Sequence, residues 1–409
     1  MKKLTYFIII ITLVISNLNA KAQTAYITNA GSNTVFVINV ATNTVTDTIT
    51  VGNNPGGISV SPNGSKVYIA NFSANTVSVI NTATNAVTAT IPVGTYPLGV
   101  SVSPDGNKVY IANFHSNTIS VINTTSDTVS ATITVGSHPR GVSVSPNGKK
   151  IYVANESTDS VSVINTATNN IMFTVSVGSA PQGVSVSPDG SKIYVTNDIS
   201  NTVSVIDSTT NTVSSTISVG NMPYGISVSP DGNKVFVVNY GDNTVSVINT
   251  ATNTVSATIR VGSVPIGVSV SPDGNKVYVA NNNSNTVSII NTATNNIFDS
   301  IAVGHNPSAF GNFISTYGTG IAPQSMLSSN IEVYPSPNNG KFQVSSPKSQ
   351  VSSIEIYNLL GEIIYRLPVT DNRSPITIDV SNNSSFPGGV YFVEVKTEKG
   401  VEVKKFVKE

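Results

Sequence analysis

Apolar and hydroxyl-bearing residues alternate along most of this chain in runs of roughly four to seven, with turn-forming residues between the runs. In one representative stretch, Gly141 to Ser145, Lys150 to Asn155, Ser160 to Asn165 and Asn170 to Val177 each read as a strand, because alternation with period two gives a strand one apolar face. Between the first two runs, Ser145-Pro146-Asn147-Gly148 has the chemistry of a type I turn closed by a left-handed glycine. No apolar stripe of helical period interrupts the pattern, which argues against a parallel α/β design.

The unit returns at a fixed step. Pro55, Pro97, Pro139, Pro181, Pro223, Pro265 and Pro307 are each separated by 42, and Tyr26, Tyr68, Tyr110, Tyr152, Tyr194, Phe236 and Tyr278 keep the same step. Self-similarity of this length is the mark of a repeat fold, and four antiparallel strands per copy make a propeller blade. The array starts in mid-copy, with three strands between Ala25 and Val51, and finishes with a lone first strand near Ser308 to Ile314. The piece missing at one end is present at the other. The expected fold is therefore all-β: a seven-bladed propeller whose last strand completes its first blade, which removes the open edge.

Each tyrosine opens a string that closes on asparagine: Tyr26-Ile27-Thr28-Asn29, Tyr152-Val153-Ala154-Asn155, Phe236-Val237-Val238-Asn239 and, spelled in full, Tyr194-Val195-Thr196-Asn197. On these strings the region from about Tyr26 to Ile314 resembles the YVTN family of β-propeller repeats. The resemblance implies a seven-bladed ring and no particular activity, since one fold serves many functions.

Charge changes the picture at both ends. Lys2 and Lys3 precede an apolar stretch from Phe7 to Ile15, and Ala20-Lys21-Ala22 offers a small-x-small cleavage site before Gln23, so residues 1–22 read as a secretory signal peptide, too short to be a permanent span. The chain has no cysteine, which excludes disulfides, thiol catalysis and cysteine-ligated zinc. Lys, Arg, Asp and Glu number 21 between residues 23 and 321 but 18 between 322 and 409, so a second domain follows the ring, joined by a linker at 316–330.

That domain, 331–409, alternates like a small Ig-like β-sandwich at Ser353 to Tyr357 and Tyr391 to Thr397. Val333-Tyr334-Pro335-Ser336-Pro337-Asn338-Asn339-Gly340, Ile354-Glu355-Ile356-Tyr357-Asn358-Leu359-Leu360-Gly361, Gly389-Val390-Tyr391-Phe392-Val393 and the basic end around Lys404 and Lys405 follow in order. They resemble the type A sorting domain of the Bacteroidota type IX secretion system. The resemblance implies export to the outside of the cell, by way of the periplasm, with the type IX machinery as partner.

Function is sought where the copies disagree. The turns joining strands one to two and three to four lie on one face of a blade and are nearly constant: Ser-Pro-Asp/Asn-Gly recurs six times. Six lysines after it, Lys66, Lys108, Lys150, Lys192, Lys234 and Lys276, read as a solvated rim offset by Asp105, Asp189, Asp231 and Asp273. On the opposite face the residue before the repeated proline is Asn54, Tyr96, His138, Ala180, Met222, Val264 or Asn306, and the residue after it Gly56, Leu98, Arg140, Gln182, Tyr224, Ile266 or Ser308. After each asparagine come Ala30, Phe72, Phe114, Glu156, Asp198, Tyr240 and Asn282. Varied loops on a constant scaffold are where binding usually lives, although drift at exposed positions varies in the same way.

The expected binding residues are Phe72, Tyr96, Phe114, Tyr224 and Tyr240 as aromatic contacts, with His138, Arg140, Glu156, Gln182 and Asp198 as polar ones, ringing the mouth of the central channel. The ligand class they suggest is protein or glycan, because an aromatic rim is characteristic of interaction surfaces. A propeller enzyme of lactonase or lyase type is the competing reading and would draw on His138, Glu156 and Asp198; a surface-layer-like structural protein is the third. No phosphate loop, calcium loop or nucleophile elbow is present, so no cofactor, metal or catalytic residue is assigned. The propeller carries 9 basic and 12 acidic residues, which argues against a nucleic-acid partner, and no other stretch of the chain is long and apolar enough to span a membrane.

Overall fold

The computed structural model describes residues 23–315 and, beyond them, 332–334, 341–345, 351–357, 363–369, 376–381, 389–397 and 400–408. The expected signal peptide and linker lie outside the described residues, as do 335–340 and 358–361 of the sorting motifs. The chain divides into two compact units, Met1–Ala322 and Pro323–Glu409.

The first unit is a seven-bladed β-propeller. Blade 2 is built from Pro55–Val60, Lys66–Asn71, Thr76–Asn81 and Ala86–Pro92, and the plan repeats five more times, ending in blade 7 with Pro265–Val270, Lys276–Asn281, Thr286–Asn291 and Asn296–Ala302. Within each of these blades neighbouring strands pair antiparallel, from the inner strand, which begins at the repeated proline, to an outer strand that faces water. The turn chemistry is as the residues demand: Gly148 lies at φ 70 and its amide donates to Ser145 O at 2.8 Å. Inner strands begin at their proline, two residues before the alternation of Gly141 to Ser145 begins, because Pro139 pairs with Asn155 across a shift of register.

Blade 1 has three strands of its own, Thr24–Asn29, Thr34–Asn39 and Thr44–Thr50. The segment 307–315 supplies the fourth: Ala25 bridges Ile314 and Asn29 bridges Pro307, with Tyr26 N donating to Phe313 O at 2.9 Å and Ser308 N to Thr28 O at 2.9 Å. The same segment lies parallel to blade 2, where Ile58 N donates to Phe310 O at 3.1 Å.

The repeated positions have physical roles. Tyr68, Tyr110, Tyr152, Tyr194, Phe236 and Tyr278 are the largest fully buried side chains of the ring, filling the space between blades. The asparagine that ends each string is buried in all seven blades; Asn71 Nδ2 donates to Thr76 Oγ1 at 3.0 Å and Ser78 Oγ at 2.9 Å, tying the second strand to the third. Near the axis the inner strands approach so closely that a Cβ on Gly141 would stand 2.5 Å from Gln182 O of the next blade, and only glycine allows that contact.

One expectation is corrected here. The six lysines do not form a solvated rim: each is half-buried and reaches the next blade, Lys66 Nζ donating to Thr124 O and Asp127, Lys108 to Thr166 O, Lys150 to Ser208 O, Lys192 to Thr250 O, Lys234 to Thr292 O and Lys276 to Val40 O across the closure. A lysine stem is long enough to carry its charge over the blade interface to a turn carbonyl left free by the loop. Exchanging all six for methionine is expected to lower propeller stability by several kcal/mol, at about 0.5 kcal/mol or more each after allowance for partial exposure. An unchanged melting temperature would restore the solvated reading.

Among the described residues the second unit has two sheets: Glu332–Tyr334, Lys341–Ser345 and Ile376–Asp379 form one, and Ile363–Pro368, Val351–Tyr357, Gly389–Thr397 and Gly400–Lys408 the other. Phe342, Val344, Ile354, Ile356, Ile378, Tyr391, Val393 and Val395 fill the core.

Candidate functional site

The variable face is made by two short connections per blade, and two backbone positions there are left-handed. One is Asn33, Asn75, Asn117, Asp159, Asn201, Asn243 or Asn285 in the loop between strands two and three of the blades. Its side chain accepts the amide of the residue before the repeated proline, as Asn75 Oδ1 does from Tyr96 N at 2.9 Å and Asn117 Oδ1 from His138 N at 2.9 Å. That pre-proline residue is itself left-handed in all seven copies: Asn54 at φ 55, Tyr96 at 54, His138 at 53, Ala180 at 54, Met222 at 52, Val264 at 57 and Asn306 at 54. Its carbonyl then accepts from the residue after the blade's asparagine, as Tyr96 O does from Phe114 N at 3.0 Å and His138 O from Glu156 N at 3.0 Å. The two variable positions of each connection are thus locked together by backbone hydrogen bonds.

Most of the expected residues meet in one arc. Phe72 stacks on Tyr96 with ring centroids 4.6 Å apart, Tyr96 meets the edge of His115 at 5.5 Å, His115 lies 6.1 Å from His138, and His138 stacks on Phe114 at 4.5 Å. The guanidinium of Arg140 lies over Phe114 at 4.8 Å, holds Glu156 through Nε and Nη2 at 2.7 and 3.2 Å, and donates from Nη1 to Tyr224 Oη at 2.8 Å. Tyr224 in turn faces Tyr240 at 6.4 Å. Burial works against the charge of Arg140, but Tyr224 and Glu156 outweigh it and its pKa is raised. His138 Nδ1 is 2.6 Å from Ser157 Oγ, in a 3-10 turn, Glu156–Thr158, found in this loop alone among the described residues.

Two placements differ from the expectation. Gln182 is not a rim contact: it is 1% exposed and its Nε2 donates to Ala180 O. The channel mouth is also not an open site. Tyr224 lies edge-on to Phe310 at 5.3 Å, and the cavity lined by Gly99, Gly141, Gly183, Gly225, Phe310 and Gly311 has a volume of about 30 Å³, room for one or two waters. The close glycine contacts pull the inner strands together, so what the arc offers a ligand is its outer surface.

Four residues join the site that were not among the expected binding residues. His115 follows Phe114 and links the two halves of the arc. Ile199 and Met222 stand 71% and 49% exposed beside Asp198 and Tyr240 in the chain of loops. Phe310 occupies a place where other copies have Ile58, Val100, Val142, Val184, Ile226 and Val268, a deviation visible in the aligned repeats. No group of three or more His, Asp or Glu side chains among the described residues is placed to hold a metal ion, and no helix among them is long and apolar enough to cross a membrane.

Comparison with known proteins places the two units. Residues 332–409 match the secretion system C-terminal sorting domain family. Residues 82–186 and 165–297 match the family described as lactonase, 7-bladed beta-propeller, and together they span more than half of the chain. No curated protein matches. Among solved structures, the chain is similar to hydrazine synthase of Kuenenia stuttgartiensis (20% identity, TM-score 0.58, covering 77% of this chain and 96% of that one). It is also similar to a protein of unknown function from Desulfotomaculum acetoxidans (19%, TM-score 0.61, 70% and 99%) and to a candidate 6-phosphogluconolactonase from Bacteroides uniformis (20%, TM-score 0.61, 70% and 98%). At such identities the likeness is one of fold. The chain belongs, through its ring, to the seven-bladed β-propeller family that bears the lactonase name, and it ends in a sorting domain that marks it for type IX secretion.

Proposed function

We propose that the propeller is the binding module of an exported protein and captures a macromolecular partner, a protein before a glycan, on the variable face. The observation that carries this reading is the pre-proline position. A left-handed backbone suits asparagine, aspartate or glycine, and the other two left-handed loop positions of each repeat, one on either face, keep Asn or Asp in every blade. At the third, Tyr96, His138, Met222 and Val264 replace the asparagine retained at Asn54 and Asn306, each at a cost of order 1 kcal/mol. Random drift in a copied repeat has no reason to settle on strained residues, whereas an interface has. The exposed tyrosines, methionine and isoleucine of the arc are the residue types that anchor protein interfaces.

The family name supplies a second reading, lactone hydrolysis at the channel. Binding is favoured over it because Glu156 is clamped by Arg140, His138 is engaged with Ser157, and a 30 Å³ cavity is about tenfold smaller than ordinary ligand pockets. The test is a screen of the purified full chain against protein and glycan arrays, repeated with Tyr96→Ala, Met222→Ala and Tyr240→Ala combined. Hits on the wild type that the triple variant loses, with the fold unchanged, support the reading. Hits retained by the triple variant and lost by a lysine-to-methionine chain that is still folded would move the site to the other face. Turnover of lactones abolished by Glu156→Gln alone would favour the enzyme.

A further inference from the structure

Blades 4 and 5 carry the same two positions with different outcomes. In blade 4 the residue after the proline, Arg140, grips the acid after the asparagine, Glu156. In blade 5 the corresponding residues are Gln182 and Asp198, and Gln182 turns down to Ala180 O. Asp198 is left half-buried, with its amide tied to Ala180 O but no side-chain hydrogen bond or ion pair among the described residues. Arg140 spends its ion pair on Glu156 and also bonds Tyr224, so the trio Arg140, Glu156 and Asp198 carries one net negative charge. Burial, the largest cause, pushes the Asp198 carboxyl up; Arg140 draws it down and Glu156 adds to the rise.

The blade next to this carboxylate carries a tyrosine pair, Tyr224 and Tyr240. Tyr240 holds the same register place in blade 6 that Asp198 holds in blade 5, and Tyr224 lies between the two loops, close enough for the charge of Asp198 to act on its phenol. Met222, the exposed neighbour of Tyr224, is fixed to the Asp198 loop by its amide, which donates to Asn201 Oδ1 at 2.9 Å. An unpaired acid with a tyrosine pair on the next blade can accept an ammonium or guanidinium group by Coulomb attraction, with the rings available for cation–π contact to the same cation.

We propose that Asp198, with Tyr224 and Tyr240, forms a subsite for a lysine or arginine side chain of the protein partner, a proposal that rests on the variable face being the binding face. Charge complementarity selects this occupant: a carboxylate-bearing segment meets the uncompensated acid, and a neutral glycan can hydrogen-bond it through hydroxyls but leaves its charge uncompensated.

The experiment immobilises hexalysine, hexaglutamate and hexathreonine peptides and measures binding of the full chain at low and moderate ionic strength. The expected result is binding to hexalysine alone, weakened by salt and reduced about tenfold or more in Asp198→Asn and in Tyr240→Ala. Asp299→Asn, an acid on the outer strand of blade 7, is expected to bind as the wild type. Equal loss in Asp299→Asn and Asp198→Asn would show general charge attraction and overturn the subsite, as would undiminished binding by Asp198→Asn or none by the wild type. Array hits that Asp198→Asn keeps but the Tyr96, Met222 and Tyr240 triple variant loses would leave the binding face standing and remove only the cationic subsite.

Discussion

Removal of residues 308–315 is expected to abolish the monomeric folded propeller. The segment places Ala309, Phe310, Phe313 and Ile314 in the core, the last two at 0% and 2% exposure, and it hydrogen-bonds to blade 1 and blade 2 at once. Losing two buried phenylalanines and an isoleucine forfeits roughly 2 to 3 kcal/mol each, and the backbone bonds add to that, so the total approaches the 5 to 15 kcal/mol that a domain has in hand. The blade left behind presents an unpaired edge from Thr24 to Asn29, which templates association. Size-exclusion chromatography and thermal unfolding check this; a monomer with unchanged melting temperature would reject closure by this strand. The milder Phe313→Ala is expected to cost about 3 to 5 kcal/mol and keep the ring closed.

Alkaline unfolding above pH 10 is the second large effect. Burial pushes the phenols of Tyr26 and Tyr110 up to about 12, with Asp105 adding to the rise of Tyr110, and it raises Tyr68, Tyr152, Tyr194 and Tyr278 as well. A phenol whose folded pKa exceeds its unfolded value of 10 leaves stability intact below pH 10. Above that, the unfolded chain ionises first, and stability falls as pH rises through the folded value. Each pH unit in that window removes up to roughly 1.4 kcal/mol per phenol, so the four with the largest rise, Tyr26, Tyr68, Tyr110 and Tyr278, take an amount comparable to the stability of a modest domain within about one unit. The melting temperature and the tyrosinate absorbance are expected to change together and steeply near pH ~11. Phe236 occupies the seventh position and shows that the hydroxyl is dispensable to packing. Tyr68→Phe is therefore expected to stabilise by about 1 kcal/mol, because Tyr68 Oη is buried without a partner. A melting temperature flat to pH ~12 would mean that the phenols are not desolvated as their burial implies.

Local chemistry determined the ring. Alternation with period two, Ser-Pro-Asp/Asn-Gly turns and an exact repeat of the proline fix strand, turn and blade through contacts within a few residues, and the split copy at the two ends requires closure whatever the packing. The face on which copies diverge was readable too, since strand direction alone assigns each loop to one side. What the tertiary structure decided lies between blades. The arc from Phe72 to Tyr240 joins residues up to four copies of a loop apart, and whether Arg140 meets Glu156, Tyr224 or a ligand depends on rotamers chosen by neighbours in space. Gln182 and Asp198 hold the register places of Arg140 and Glu156, yet in the fold Gln182 donates to Ala180 O. The lysines read as solvated until the next blade's turn carbonyl comes within reach of the side chain. The channel closes because glycine lets adjacent inner strands touch, a consequence of ring curvature that no single repeat contains.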